Sequence, residues 1–324
     1  MKILVTGGAG FIGSHLCERL VNDGHTVIAI DNFSTGRRSN LANLASSSTF
    51  SMVEGSILDS NVLNPLIAEV DYVFHLAAAV GVFNIVNNPL KSLLTNIRGT
   101  ENVLEAAHSA KTPVFLTSSS EVYGKNTSNS LKESDDRVLG SPVTLRWSYS
   151  EAKAIDESLA YAYFTEKHLE TRIVRFFNTV GPRQLGAYGM VVPRFIQAAL
   201  SNEPITIYGD GNQTRCFAHV YDVIDAVISI AFSEITIGKV VNIGNDFEIS
   251  INNLAKQILS DTSSKSEIVY VPYAEAYGDG FEDMERRVPN IDLIKRLVGW
   301  YPKRDLKTII DDISFEMKKN IRSS

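Results

Sequence analysis

Tyr149 and Lys153 stand four residues apart. If the segment that carries them is helical, they share one face. An ordinary phenol, with a pKa near 10, is a poor base at neutral pH. A neighbouring ammonium favours the phenolate, so Lys153 could draw Tyr149 toward acid/base work. Upstream, the apolar run Val114-Phe115-Leu116 turns at once into Thr117-Ser118-Ser119-Ser120-Glu121. Hydroxyls and a carboxylate at the end of a strand stand at the carboxyl edge of a sheet, where open α/β sheets bind ligands. Taken alone, a Tyr-x-x-x-Lys pair is an ordinary helix-surface pair. Its weight comes from the elements that must position it.

The first of these is a complete βαβ unit. A strand pattern over 2–6 is followed by Gly7-Gly8-Ala9-Gly10-Phe11-Ile12-Gly13, an amphipathic helix over 14–23 and a second strand over 26–30 ending in Asp31. Glycines at 7, 10 and 13 allow a tight turn, close approach of backbone to a pyrophosphate and close helix packing. The helix N-terminus offers free N–H groups and the positive end of its dipole. Asp31 can accept from both ribose hydroxyls and repel a 2′-phosphate, which favours NAD over NADP. Arg37 and Arg38 pull the other way, since a nearby arginine can accommodate that phosphate.

Further strands are predicted at 50–53, 72–78, 114–116 and 169–176, with helices at 61–69 and 89–110 between them. This alternation indicates a doubly wound parallel sheet, an α/β Rossmann arrangement. The fourth strand runs through Leu76 into the small residues Ala77-Ala78, which let a flat cofactor approach the backbone, and Asn96 and Thr100 lie in the middle of the 89–110 helix. His75 reads as a hydrogen-bonded strand histidine. The expected division is a dinucleotide-binding domain of 1–176 with 218–246, and a smaller α/β substrate-binding domain of 177–217 with 247–324.

Composition sets outer bounds. The 324 residues suffice for one large or two modest cores, and 44% hydrophobic with 21% charged residues is ordinary for a globular chain. A net charge of −6 gives no electrostatic reason to expect nucleic acid or an anionic membrane as partner. Two cysteines are too few for a disulfide framework, which suits a reducing cytoplasm. The chain opens directly on a strand pattern rather than a signal peptide, and no apolar run approaches the roughly 20 residues of a membrane span. No His or Cys spacing suggests a metal.

Together, Thr6 to Gly13, Asp31, His75-Leu76-Ala77-Ala78, Ser119 and the Tyr149/Lys153 pair resemble the extended short-chain dehydrogenase/reductase family, the NAD-dependent epimerases and dehydratases, over essentially the whole chain. The resemblance implies that Tyr149 takes the proton of a sugar 4-hydroxyl while hydride passes to NAD. It implies that Lys153 holds the nicotinamide ribose and that Ser119 hydrogen-bonds the reacting oxygen. The cofactor set it implies is Gly7, Gly10, Phe11, Ile12, Gly13, Asp31 and Asn32, then Ser56 and Ile57, then Leu76, Ala77, Ala78 and Asn96, with Tyr149 and Lys153. Ser56 departs from the family pattern, where many members carry an Asp that contacts adenine.

The second half carries substrate signals by the same resemblance. Asn178, Val192, Pro193, Phe195, Ile207, Tyr208 and Arg215 match segments that wrap a nucleoside diphosphate, and Val82 joins the substrate set. Ser120-Glu121 matches the Ser-Glu pair of decarboxylases rather than the Asp-Glu pair of dehydratases. The segment from Tyr277 to Ile291, with Arg287-Val288-Pro289 inside it, is similar to the UDP-glucuronate decarboxylases, including the decarboxylase domain of the bifunctional polymyxin-resistance enzyme. Arg146-Trp147-Ser148-Tyr149 and Gln213-Thr214-Arg215 point the same way. That resemblance places Arg287 near the decarboxylating carbon and Glu121 near the sugar acid. Ala79-Val80-Gly81-Val82, where those decarboxylases carry a Ser-Pro element, suits a 4-epimerase or a dehydratase equally well.

Decarboxylation of UDP-glucuronate through a 4-keto intermediate is therefore the leading expectation. A UDP-sugar 4-epimerase acting on UDP-glucose, UDP-glucuronate or UDP-N-acetylglucosamine is the alternative, ahead of a 4,6-dehydratase and of a non-catalytic NAD-binding regulator. A homodimer, pairing the 89–110 helix and the helix near Ser148 across a two-fold axis, is implied by the resemblance.

Overall fold

The computed structural model describes residues 1–81, 85, 87–186, 190–277 and 284–323. Strands β1 (Lys2–Thr6), β2 (Thr26–Asp31), β3 (Phe50–Glu54), β4 (Tyr72–His75), β5 (Val114–Ser119), β6 (Thr171–Phe176) and, later in the chain, β11 (Val240–Ile243) form one seven-stranded parallel sheet. From one edge it runs Val240–Ile243, β6, β5, β4, β1, β2, β3. The order reverses between β1 and β4, and that switch point is where open α/β sheets leave a crevice at their carboxyl ends. Thr6 is paired with His75 across it.

Alternate residues of each strand face opposite layers, as the period of a strand requires. Ile3 and Val5 pack with Leu16 and Leu20 of the Phe11–Asn22 helix and with Val223 and Val227 of the Val220–Ala231 helix. Leu4, Val73 and Leu116 pack on the other face with Leu63, Ile67, Val103 and Leu104. Both faces being covered is why these strands are almost continuously apolar. The Pro89–Ala110 and Ser148–Lys167 helices lie against each other on this second face.

The remaining strands are short. β7 (Thr179–Val180) pairs with β10 (Ala218–His219), and β8 (Ile205–Tyr208) with β13 (Ile268–Val271). β9 (Thr214–Cys216) lies between β12 (Glu248–Ser250) and β14 (Arg286–Arg287). With the Val191–Ser201 and Ile251–Thr262 helices they enclose a separate core that includes Val192, Phe195, Ile207, Leu254 and Ile310. Ile291, Ile294 and Trp300, which the sequence division groups with this second unit, pack into the core of the large sheet.

The element readings differ from the structure mainly at their ends. The first helix begins at Phe11 rather than Ser14, because Gly10 serves as its N-cap. The fourth strand stops at His75, and Leu76-Ala77-Ala78 leaves it as irregular backbone. β5 extends through Ser119, so the hydroxyl run is itself strand.

Candidate functional site

The cavity opens at the switch point, with a volume of about 830 Å3, within the usual range for a ligand site. Its first wall is the glycine loop. Gly7 has a φ of +70°, and a Cβ there would lie 2.9 Å from the Cα of Ala77. A Cβ on Gly13 would lie 2.1 Å from the Gly7 carbonyl oxygen. No side chain caps the helix at Gly10, which leaves its first turn open to an anion. Phe11, Ile12 and Gly13 line the cavity there.

Asp31 sits at the end of β2, where its carboxylate accepts from Ala9 N at 3.0 Å and Phe33 N at 2.8 Å. Burial pushes its pKa up, and these N–H bonds pull against that rise. The carboxylate is thereby fixed at the rim of the loop. Of the two arginines that complicated the cofactor reading, Arg38 pairs with Glu54 and lies 4.3 Å over the Phe33 ring. Arg37 donates to the Arg183 carbonyl at 3.3 Å. Asn32, Ser56 and Ile57 line the cavity beyond Asp31, and Ser56 Oγ accepts from Leu58 N at 3.2 Å.

The floor is held from behind. Thr6 Oγ1 accepts from Leu76 N (3.2 Å) and Ala77 N (3.1 Å) and meets His75 Nδ1 at 2.8 Å. His75 Nε2 meets Thr100 Oγ1 at 3.1 Å. The network closes with the His75 proton on Nε2, and burial lowers the His75 pKa to about 3, so the ring is neutral. The hydrogen-bonded strand histidine is what the structure contains. Asn96 differs from expectation. It is buried, accepts from Ala79 N at 2.7 Å and donates to Ala79 O at 3.3 Å, and it does not line the cavity. Its effect on a cofactor runs through the backbone after β4.

Tyr149 lies at the N-terminus of the Ser148–Lys167 helix, with Lys153 one turn on. Lys153 is 3% exposed, and its Nζ donates to Thr117 O at 3.0 Å and Asp156 Oδ2 at 3.1 Å. Burial works against its charge, but Asp156 and Tyr149 raise its pKa overall. Burial likewise raises the Tyr149 pKa. The Lys153 ammonium lowers it, Glu121 and Asp156 raise it, and a hydrogen bond with Ser119 lowers it. The net direction is upward: the pull of Lys153 has the expected sign, and desolvation outweighs it. Ser119 Oγ also accepts from Glu121 N at 3.2 Å, and Ser120 is buried beside it.

The opposite wall is cationic. Glu121 accepts from Arg146 Nη1 at 2.6 Å on Oε2 and from Arg287 Nη1 at 2.5 Å on Oε1. Arg287 Nη2 donates to Asn178 Oδ1 at 2.9 Å, and Asn178 Nδ2 donates to Cys216 O at 2.9 Å. Burial pushes the Glu121 pKa up, but the two guanidiniums outweigh it and hold the carboxyl well below the usual range. Two guanidiniums against one carboxylate leave a net single positive charge. Arg287 stands opposite Arg215 on the neighbouring strand, and its Nε is buried with no hydrogen-bond partner. A buried donor left unpaired costs about 1–3 kcal/mol.

The structure brings Asn178, Val192, Tyr208, Arg215 and Arg287 to this cavity. Pro193, Phe195 and Ile207 differ from expectation in place: they are buried and do not line the cavity, and Phe195 and Ile207 belong to the second core. Along a helix or strand only part of a motif faces one way, and Arg194 lines the cavity where Pro193 and Phe195 do not. Val82 and residues 278–283 lie outside the described residues. Sequence reasoning gave no role to Arg146, to Arg194, which stacks 4.3 Å over the Tyr208 ring, or to Gln213, which donates to Tyr208 O and to Tyr273 Oη. Arg146 was findable: it precedes Tyr149 by three residues, one helical turn.

The NAD dependent epimerase/dehydratase family profile matches residues 3–244. The chain belongs to this family, and its cofactor is NAD. A UDP-N-acetyl-alpha-D-glucosaminuronate decarboxylase of Bacillus cytotoxicus is 42% identical over 302 residues, 93% of this chain and 92% of the relative. UDP-glucuronic acid decarboxylase 1 of Danio rerio is 39% identical over 93% of this chain and 69% of its own. Among solved structures, the UDP-glucuronic acid 4-epimerase from Bacillus cereus, in complex with UDP-glucuronic acid and NAD, superposes with a TM-score of 0.89 at 29% identity. The superposition covers 99% of this chain and 100% of that one. The glycine cradle, whose Gly7 and Gly13 have no room for a Cβ, and the fixed Asp31 carboxylate fit a dinucleotide. Among the described residues no helix is long and apolar enough to cross a membrane.

Proposed function

We propose that this chain decarboxylates a UDP-hexuronate by way of a 4-keto sugar, with UDP-glucuronate and UDP-N-acetylglucosaminuronate as the candidate substrates. The observation that carries the reading is the cationic wall facing Tyr149: Arg146 and Arg287 on one carboxylate, with net positive charge. A uronate brings a second carboxylate that this wall would attract, and an uncharged hexose does not. NAD, held by the glycine loop and Asp31, supplies the hydride acceptor at sugar C4 when bound.

In this reading Tyr149 takes the proton of the C4 hydroxyl, with Ser119 sharing the oxygen. Lys153, tied to Thr117 O and Asp156, keeps its positive charge behind the phenol and would hold the nicotinamide ribose of bound NAD. Once C4 is a ketone, the C6 carboxylate belongs to a β-keto acid. The C5–C6 bond breaks, CO2 leaves, and the electron pair passes into an enolate whose oxygen faces Tyr149 and Ser119. Arg287 holds the departing carboxylate, Ser120 orders the space beside it, and C5 then takes a proton from water. A dehydratase would need Glu121 as a C5 base. A base held this far below the usual carboxylate range is poorly matched to that task.

Tyr208, Arg194, Arg215 and Asn178 are assigned to the nucleoside diphosphate, for which arginine's planar fork is suited. The cofactor set named from sequence is retained, with Asn96 acting through Ala79. We assign the cofactor to a unit of residues 1–176 with 218–246 and the nucleotide sugar to 177–217 with 247–324. A homodimer through the Pro89–Ala110 and Ser148–Lys167 helices is part of the proposal, supported by exposed Leu90, Ile155 and Tyr161 on them. So is a reducing cytoplasm, supported by two free, buried cysteines.

Incubation with NAD and each UDP-hexuronate in turn tests the reading, with products followed by mass. Loss of CO2 is expected from at least one of them. Unchanged mass with inversion at C4 would make the chain a 4-epimerase, the chemistry of the Bacillus cereus neighbour.

A further inference from the structure

Arg146 lies on the short turn Leu145–Trp147 that leads into the Tyr149 helix, and it is 6% exposed. Its guanidinium and that of Arg287 grip opposite oxygens of the Glu121 carboxylate, at 2.6 and 2.5 Å. The two arginines come from different parts of the chain, one from the turn before Tyr149 and the other from β14. Glu121 follows Ser119 by two residues, and Ser119 is bonded to Tyr149. Ser150, next to Tyr149, donates to the Glu121 carbonyl at 2.6 Å. The Tyr149 helix and the turn before it therefore hold Glu121 twice, through Ser150 on its backbone and through Arg146 on its carboxylate.

We propose that Arg146 is a positioning residue for the decarboxylating step: by holding one oxygen of Glu121 it fixes that carboxylate, and through it Arg287, relative to Tyr149. The inference rests on the decarboxylase reading. With both oxygens gripped, Glu121 can neither rotate nor turn toward the sugar, and Arg287 is fixed between Glu121 and Asn178. Without Arg146, one oxygen is released, and of the two partners of Arg287 only Asn178 stays fixed. The groups that face Glu121 among the described residues are Arg146 from its turn, Arg287 from β14 and Tyr149 from the helix. Removing one of the two cations also lets the Glu121 carboxyl rise back toward ordinary acidity.

The test is the pH profile of CO2 release by the full chain with NAD, for wild type, Arg146→Met and Arg146→Lys. Arg146→Met is expected to lose about 10–100-fold in kcat, the cost of a misplacement of roughly 1 Å, with a smaller change in KM. It is also expected to gain an acid limb that wild type lacks. Arg146→Lys should recover part of the rate and move that limb back down. If Arg146→Met folds poorly, the limb is read in Arg146→Lys alone, where one ammonium replaces the fork. Rates that fall evenly at every pH in both variants, with no new limb, would overturn the inference and leave Arg146 a structural residue. A wild-type chain that releases no CO2 from either UDP-hexuronate would take down the decarboxylase reading and this inference together, before any variant is compared.

Discussion

The cofactor side of the cavity and the sugar side are built in different ways. On the cofactor side, Gly7, Asp31, Ala77 and Ser119 stand at or just beyond the carboxyl ends of four strands of one parallel sheet. On the sugar side, Glu121, Arg146, Asn178 and Arg287 come from four separate segments, and the strand that carries Arg287 is two residues long. The first side is positioned by the sheet and its two covered faces. The second is positioned mainly by side chains holding other side chains. Damage to the first should therefore be felt in binding and stability, and damage to the second in a single chemical step.

Tyr149 stands where the two sides meet, and its loss gives the largest expected effect. Tyr149→Phe keeps the ring and removes the proton carrier. Turnover is expected to fall about 1,000-fold, within the range for a positioned acid/base group, while NAD affinity stays within about twofold because the glycine loop and Asp31 are untouched. Calorimetric titration with NAD beside a CO2 assay checks both. Activity near wild type would dissolve the distinction between the sides and the catalytic assignment with it.

Arg287→Met probes the sugar side alone. It removes a cation aimed at the substrate carboxylate and leaves Glu121 with Arg146. CO2 release is expected to fall about 100-fold, the order seen when one electrostatic contact to a developing charge is lost. Hydride transfer, followed as NADH absorbance in a single turnover, should persist, because Tyr149, Ser119 and Lys153 keep their partners. Equal loss of both signals would mean that Arg287 serves binding in general and the two sides are not separable.

The same contrast decides what could be read from the sequence. The Gly7–Gly13 spacing, Asp31 at the end of its strand, and Tyr149 with Lys153 are local patterns, because helix and strand geometry fixes neighbours within one turn or one strand. His75 was legible for the same reason. The helix that carries Asn96 is legible, but nothing local reveals that its amide closes on Ala79. Phe195 and Ile207 share their motifs with cavity-lining residues but turn toward the second core, and Pro193 is buried. Glu121 and Arg287 were each marked by resemblance. That a third residue, Arg146, holds them together depends on a contact spanning 25 residues on one side and 166 on the other. Nor could the sequence weigh Lys153 against burial at Tyr149, because desolvation depends on everything packed around the ring.

His75 sharpens the comparison from the cofactor side, with an effect on stability rather than rate. Its folded pKa is about 3, below the ordinary 6.5. Below pH 6.5 the unfolded chain takes up a proton that the folded chain refuses, so stability falls with pH until about pH 3. One such proton accounts for about 1.4 kcal/mol per pH unit. His75→Gln is expected to be less stable at neutral pH, having lost one of two buried hydrogen bonds. Its stability should nevertheless fall less steeply between pH 6 and 4, by up to that one-proton slope. Denaturant melts across this window measure the slope directly. Parallel slopes would show that His75 is not held neutral.

The smallest expected effect lies at the rim of the cofactor side. Arg38 follows Asp31 closely enough in sequence to suggest a 2′-phosphate ligand, yet it pairs with Glu54 and lies over the Phe33 ring. Both partners belong to the cofactor side of the sheet, and Arg38 itself makes no bond to the carboxylate that selects the ribose, which is held by the backbone of Ala9 and Phe33. Arg38→Met should leave the preference for NAD over NADP within about twofold and cost at most about 1 kcal/mol of stability, as for other exposed ion pairs. Asp31→Asn, by contrast, removes the charge that repels a 2′-phosphate and should narrow the preference. With that charge gone, Arg38→Met added to Asp31→Asn should again change nothing if Glu54 keeps the guanidinium. If the added change lowers NADP binding, Arg38 can swing from Glu54 to a phosphate, and the rim is less fixed than the strands beneath it.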